Sequence, residues 1–265
     1  MSSITSGSTK QYGDSRKLAA RARLNSEYTI AEIGWFEWVA QNLPIKEADR
    51  ILDIGCGPGW FWQAVAQQLP AGISLALADL SDGMVEEAMD RCRPLPFAEV
   101  NGRRADAVSL PFADHTFDGV IGMHMLYHVT DQEKAIGEMY RVLRPGGFLA
   151  VTTNGIGNMR QLYELTTVFG SPPYDPAGAA FGYEAAERKM RKIFGNVNRM
   201  DYPARMRVTE PQDVFMALTS YPPGDEADDA QLANFRDAIQ QAFSVADGVL
   251  EVAKETGLFV SRKPD

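Results

Sequence analysis

Cysteine is scarce: Cys56 and Cys92 are the only two among 265 residues, and three histidines accompany them. A structural zinc site takes four Cys or His ligands and a disulfide scaffold takes several cysteine pairs, so neither is expected and both thiols are read as reduced. No apolar run approaches the roughly 20 residues of a membrane helix, and no signal-peptide pattern opens the chain. A cytoplasmic protein without a membrane partner is therefore expected. Basic residues are outnumbered, 26 Lys and Arg against 35 Asp and Glu, for a formal net charge of −9. Broad contact with a phosphate backbone needs a Lys/Arg surface, so nucleic acid is not expected as a partner. No internal repeat and no metal-ligand cluster is visible, so no metal site is expected.

What is present suits a globular core, with 45% hydrophobic residues. The length allows one large domain or one domain with a sizeable appendage. The first ten residues, MSSITSGSTK, are small and polar and read as a disordered tail. From Asn25 to Leu43, Ile30, Ile33, Phe36, Val39 and Leu43 recur near helical spacing and predict a helix. Short apolar runs follow at 51–55, 74–79, 117–123 and 148–153, the length expected of parallel strands buried on both faces.

Helical patterns lie between these runs. Phe61, Val65 and Leu69 form one, and Ile136, Met139 and Leu143 another, opened by a Thr130-x-x-Glu133 capping box and closed by RPGG at 144–147. The alternation is that of an α/β fold with a doubly wound, mostly parallel, seven-stranded Rossmann-like sheet. After Asn154 the glycines, SPPYDP at 171–176 and a helix marked by Ala186, Met190 and Ile193 suggest a helical cap inserted after the fifth strand. A strand at 196–202, a Thr209-x-x-Gln212 cap before Val214, Phe215 and Leu218, a helix through Leu232, Phe235, Ile239 and Phe243, and a last strand at 257–263 complete the reading. The acidic stretch 224–230 reads as a solvated loop. The expected division is a tail at 1–10, N-terminal helices and the cofactor-binding half at 11–153, the cap at 154–195, and late strands with a further cap segment at 196–265.

The strongest signal is ILDIGCGPGW at 51–60, a strand running into Gly55-x-Gly57-x-Gly59 and then a helix. Glycine admits the sharp turn and leaves backbone amides bare for a ligand. Asp79 closes the next strand about 20 residues later, where a carboxylate can accept from ribose hydroxyls or cap the following helix. A dinucleotide fingerprint would space its third glycine one residue further on, so G-x-G-x-G disfavours a dinucleotide and a dehydrogenase.

DIGCGPG, Asp79, the RRADA segment, LPFADHTFD and RVLRPGG, in that order, resemble the class I S-adenosylmethionine-dependent methyltransferases. More narrowly, over about residues 47–153, the chain resembles the type 11 branch that includes the quinone-biosynthesis C-methyltransferases and many small-molecule methyltransferases. The resemblance implies S-adenosyl-L-methionine as cofactor. It implies that Gly55, Gly57 and Gly59 approach the methionine part, with Asp53 orienting the turn or meeting the amino group. It assigns Asp79 to the ribose, Leu80 and Met84 to the adenine faces, Asp106 and the Ala107 amide to the adenine edge, and the Met123 carbonyl to the ammonium. The N-terminal helices of relatives fold over the cofactor, so Tyr12 is a candidate contact at the methionine end and an arginine of the 12–25 segment a candidate for the carboxylate.

His124 and His128 flank MLY after the fourth strand, at the edge where α/β sheets bind ligands. Either is a candidate general base, the alternative being a structural histidine bonded to backbone. Trp35, Trp38, Trp60 and Trp62, with Tyr163, Phe169, Tyr174, Phe181 and Tyr183, suggest an aromatic pocket and lid. The expectation is O-, N- or C-methylation of a small, apolar or aromatic metabolite. The alternatives are a macromolecule methyltransferase and a non-catalytic S-adenosylmethionine-binding regulator, and a homodimer is left open.

Overall fold

A computed structural model describes residues 23–265. Tyr12 and most of the 12–25 segment lie outside the described residues. A short strand β1 (Thr29–Ile30) precedes β2 (Arg50–Ile54), β3 (Ser74–Asp79), β4 (Glu99–Arg104), β5 (Phe117–Met123) and β6 (Leu143–Asn154). Later come β7 (Asn198–Asp201), β8 (Arg205–Val208), β9 (Leu250–Val252) and β10 (Thr256–Arg262). Seven of them form one sheet in the order β4-β3-β2-β5-β6-β10-β7. The strands from β4 to β6 are parallel, and β10 is antiparallel to both of its neighbours. The chain runs outward from β2 to β4 and then returns to the other side of β2 as β5. That reversal opens a crevice between the carboxyl ends of β2 and β5, where an open α/β sheet takes its ligand.

Period-two burial makes the sheet two-sided. On one face Leu52, Ile54, Val120, Leu149 and Val151 meet helix α4 (Gln132–Val142) and helix α7 (Tyr183–Phe194). On the other face Ile51, Leu75, Leu77, Ile121 and Ala150 meet α1 (Trp35–Asn42), α2 (Trp60–Val65) and α3 (Asp82–Cys92). A third core unites Leu24, Met159, Leu162, Met206, Val214, Phe235 and Val252. It gathers α5 (Arg160–Leu165), α8 (Pro211–Leu218), α9 (Asp229–Val245) and a second sheet, β1-β8-β9, into a cap. The segment 154–195, expected as one cap insertion, is divided between cores: Leu162 joins the cap core, while α6 (Pro176–Phe181) and α7 bury Phe181, Ala186 and Met190 against the sheet.

Several local expectations are corrected. The single helix expected from Asn25 to Leu43 is broken, with helix at 23–28, then β1, then α1 beginning after an extended Gly34. Thr29 and Ile30 pair with Met206 and Arg205, so strand pairing prevails over helical spacing. The α4 cap is Asp131, whose side chain accepts from the Lys134 amide at 3.0 Å, rather than Thr130, and Glu133 pairs instead with Lys192 at 2.6 Å. Helix α8 starts at Pro211 with no side-chain cap, because proline at the first turn is already set in helical φ. RPGG does not delay the fifth sheet strand: Leu143 pairs with Phe117, and the register shifts before Phe148 meets Gly119. Gly146, at φ +72°, lies within the shifted stretch. In the acidic stretch, Asp228 makes a reciprocal capping box with Gln231 at the start of α9.

Candidate active site

The loop after β2 needs its glycines for three different reasons. Gly55, Gly57 and Gly59 have φ of +72°, +51° and +76°, a region that costs any residue with a Cβ. A Cβ on Gly55 would stand 2.6 Å from the Met125 Cβ, so the loop closes against the turn after β5. One on Gly59 would meet the Ala88 Cα at 3.1 Å, so this glycine serves helix packing and does not line the cavity. One on Gly57 would meet nothing within 4 Å: its bare backbone faces open space.

Two carboxylates hold this loop. Asp79 accepts from the Gly57 amide at 3.1 Å and from the Ser81 amide at 3.0 Å, tying the loop to the end of β3. It therefore does not cap α3, whose cap is Ser81. Asp53 is 3% exposed and accepts from the Trp62 indole at 2.7 Å through one oxygen. Its other oxygen, Oδ1, is buried with no partner. Burial pushes the Asp53 carboxyl up to about 7, the Trp62 bond opposing and the nearby Asp79 charge assisting.

A cavity of about 1770 Å³ extends from this loop to the cap. Asp53, Gly55, Gly57, Asp79, Leu80 and Met84 line it at one end, with Asp106, Ala107 and Met123 beside them. Leu80 is 55% exposed and Met84 is 1% exposed, so the two present unequal surfaces there. Asp106 accepts from the Val108 amide at 3.1 Å and sits in a tight turn. Both His124 and His128 also line the cavity, whereas His115 is exposed in its own turn and does not.

His124 follows directly on β5 with φ +50°, held by its amide donating to the Thr152 carbonyl and hydroxyl oxygens. Burial pushes its imidazole down to about 4, with the Lys254 charge adding to the effect. The ring is thus neutral near pH 7. His128 ends a short 3-10 turn, Leu126–His128, so its side chain and that of His124 are not carried on one helix.

The aromatic expectation holds in part. Trp35 and Trp60 line the cavity, and Trp35 stacks on Trp38 at 5.6 Å and meets the His124 ring at 5.6 Å. Tyr202 edges onto Trp35 and donates to the Ile33 carbonyl at 2.6 Å. Of the five lid aromatics only Tyr163 lines the cavity. Phe169 packs on Phe235, Phe181 is wholly buried, and Tyr183 lies under Arg199.

Lys254, Asn158 and Asp175 line the far end and were not singled out from the sequence. Lys254 sits in the loop that links β9 of the small sheet to β10 of the large one, distant in sequence from every motif. Asp175 is 1% exposed and accepts from Asn154, Asn158 and the Ala177 and Gly178 amides.

Residues 52–151, from β2 to β6, match the family model described as a methyltransferase domain. That stretch is similar to the methyltransferase domains of the class I, type 11 group, and the rest of the chain lies outside the match. It is 31% identical over 150 residues to a ubiquinone/menaquinone biosynthesis C-methyltransferase, UbiE, of Haemophilus ducreyi, covering 56% of this chain and 52% of that one. It is 38% identical over 117 residues to the 27-O-demethylrifamycin SV methyltransferase of Amycolatopsis mediterranei, covering 43% of this chain and 41% of that one. A putative methyltransferase from an antibiotic biosynthesis pathway of Anabaena variabilis shares the fold, with a TM-score of 0.65 at 15% identity, over 85% of this chain and 95% of that one. The chain spans about half the length of the curated relatives it matches. The matched methyltransferase domain contains the glycine loop, Asp79, Asp106 and both cavity histidines. Lys254, Tyr202 and the cap lie beyond it. Among the described residues, no cluster of His, Cys, Asp or Glu suited to a metal is found, and no helix is long and apolar enough to cross a membrane.

Proposed function

We propose that this chain methylates a small, apolar or aromatic metabolite on O, N or C, with S-adenosyl-L-methionine as methyl donor. The observation that carries the proposal is Asp53 Oδ1, an acceptor buried without a partner on a residue that lines the same cavity as the open Gly57. A buried carboxylate oxygen left unpaired is costly, and an ammonium group arriving there relieves that cost. Asp79 accepts from the Gly57, Ser81 and Leu80 amides, and an ionised carboxylate has about four acceptor sites, so one remains for a ribose hydroxyl. Leu80 and Met84 offer apolar surface to a base, Asp106 and Ala107 its edge, and the Met123 carbonyl a second acceptor for the ammonium. When bound, the donor supplies a methyl group on a positively charged sulfur.

The cavity supports a two-ligand reading. Single-ligand pockets run to about 1,000 Å³, and about 1770 Å³ leaves space for an acceptor beside the donor. Trp35, Tyr163 and the cap exclude water and align the acceptor for in-line attack, and such alignment supplies much of the rate in a transfer of this kind. His124 and His128 stand on the acceptor side. A neutral His124 accepts a hydrogen bond from an acceptor O–H or N–H and orients it, and His128 is the second candidate for taking the proton.

The test is thermal stabilisation by S-adenosylhomocysteine compared with NAD. S-adenosylhomocysteine should raise the Tm and NAD should not. Stabilisation by NAD alone would overturn the proposal, and an undiminished S-adenosylhomocysteine shift in Asp79→Ala would remove the ribose assignment.

A further inference from the structure

Three carboxylates gather at the carboxyl edge of the sheet on one side of the crevice: Asp53 near the end of β2, Asp79 as the last residue of β3 and Asp106 just after β4. Lys254 stands just before β10, which is antiparallel, so its first residue, Thr256, is paired with Asn154 at the end of β6. Lys254 therefore reaches the cavity on the opposite side, near His124 after β5.

Among the described residues, three cations line the cavity, and two of them are engaged. Arg23 pairs with Asp213 at 3.5 Å, and Arg104 pairs with Asp82 at 3.7 Å and donates to the Leu80 carbonyl. Lys254 differs. Its ammonium donates to the neutral Asn25 side-chain oxygen and, among the described residues, has no carboxylate within ion-pair distance. Asp175 is the acid that acts on it through space, and that carboxylate is already occupied by four donors. Lys254 is partly buried, and an ammonium withdrawn from water is costly unless paired. An ammonium has three donors, and one partner leaves two of them for a ligand.

We propose that Lys254 binds an anionic oxygen, a carboxylate or phenolate, on the acceptor molecule. The proposal rests on the methyltransferase reading and narrows it to acceptors that bind as anions. Lys254 acts as an anchor and not at the methyl-accepting atom. Negative charge on an attacking oxygen disappears as the new bond forms, so a cation held there would favour the ground state over the transition state and slow the reaction. An anion fixed by Lys254 keeps its charge throughout and orients the rest of the molecule past His124 and Trp35.

The experiment is calorimetric binding to the full chain saturated with S-adenosylhomocysteine. The probes are 2-naphthoate and 4-nitrophenol at about pH 7.5, below the value of about 8 to which burial lowers Lys254, with methyl 2-naphthoate and 4-nitroanisole as their uncharged counterparts. An acid should bind at least tenfold more tightly than its neutral counterpart, and which acid does so separates carboxylate from phenolate. Lys254→Gln keeps a donor toward Asn25, and it should lose that preference while binding S-adenosylhomocysteine as before. Lys254→Arg, which keeps the charge, should retain part of it. Equal binding of acid and neutral probe, an unchanged preference in Lys254→Gln, or no binding of either acid to the loaded protein overturns the anion site. Failure of S-adenosylhomocysteine itself to bind overturns the methyltransferase reading instead.

Discussion

Asp53 couples stability to pH and to ligand, and replacing it with Asn separates the two. Its carboxyl is shifted from the ordinary 3.8 to about 7 by burial, so the native state keeps a proton that the unfolded chain releases across that window. Stability from this group is complete below about pH 4 and is lost as pH rises through about 7. About three pKa units at 1.36 kcal/mol each give ~4 kcal/mol. Asn cannot ionise, and it still accepts from the Trp62 indole. The ligand-free Asp53→Asn protein should therefore match the wild type near pH 4 and exceed it by up to ~4 kcal/mol at pH 8.5. At about 2 °C per kcal/mol for a chain of this size, the Tm difference at pH 8.5 approaches about 8 °C. The same change should weaken S-adenosylhomocysteine at least tenfold at pH 8, because the acceptor proposed for the ammonium becomes an amide donor. Wild-type affinity should also fall as pH drops below about 7, and that of the variant should stay flat. Thermal melts and calorimetry from pH 4 to 8.5 measure both. A Tm difference independent of pH would refute the shifted carboxyl, and unchanged affinity would refute the ammonium contact.

Gly55→Ala and Gly57→Ala should part company. The first forces a Cβ to within 2.6 Å of Met125 and should cost about 2 to 4 kcal/mol in chemical denaturation, from overpacking plus strain. The second should cost about 1 kcal/mol and still abolish S-adenosylhomocysteine binding, because the new methyl enters the space beside the bare amide. Trp62→Phe removes the one bond that Asp53 receives, so its Tm deficit should widen from pH 5 to pH 8 as the carboxylate ionises without a donor. Tyr202→Phe loses the bond to the Ile33 carbonyl and should cost about 1 kcal/mol in denaturant melts, with Trp35 fluorescence reporting the loosened wall.

Legibility from sequence followed burial. β2, β3, β5 and β6 are buried on both faces and read as apolar runs, and the glycine loop announced itself because three left-handed positions admit little else. β4 is the edge strand, EVNGRR, almost wholly exposed, so it carries no apolar signature in the sequence. The small sheet was missed for another reason. Thr29–Ile30, Arg205–Val208 and Leu250–Val252 are two to four residues each and have meaning only once paired. Trp62 reads in the sequence only as an aromatic, because its bond to Asp53 depends on the turn of α2 that carries it back over β2.

By itself, the sequence determined the α/β class, the crevice at the end of β2 and the acidic residues that surround it, because strand burial, left-handed glycines and a carboxylate about 20 residues on are local demands that only a few residue types meet. Tertiary structure alone decided which groups face one another across the cavity. Lys254 joins His124 and Asp175 because β10 enters the sheet antiparallel beside β6, a long-range pairing with no local signal. The unpaired oxygen of Asp53 likewise exists only in the folded chain, where closing the core over β2 removes water before any partner is supplied.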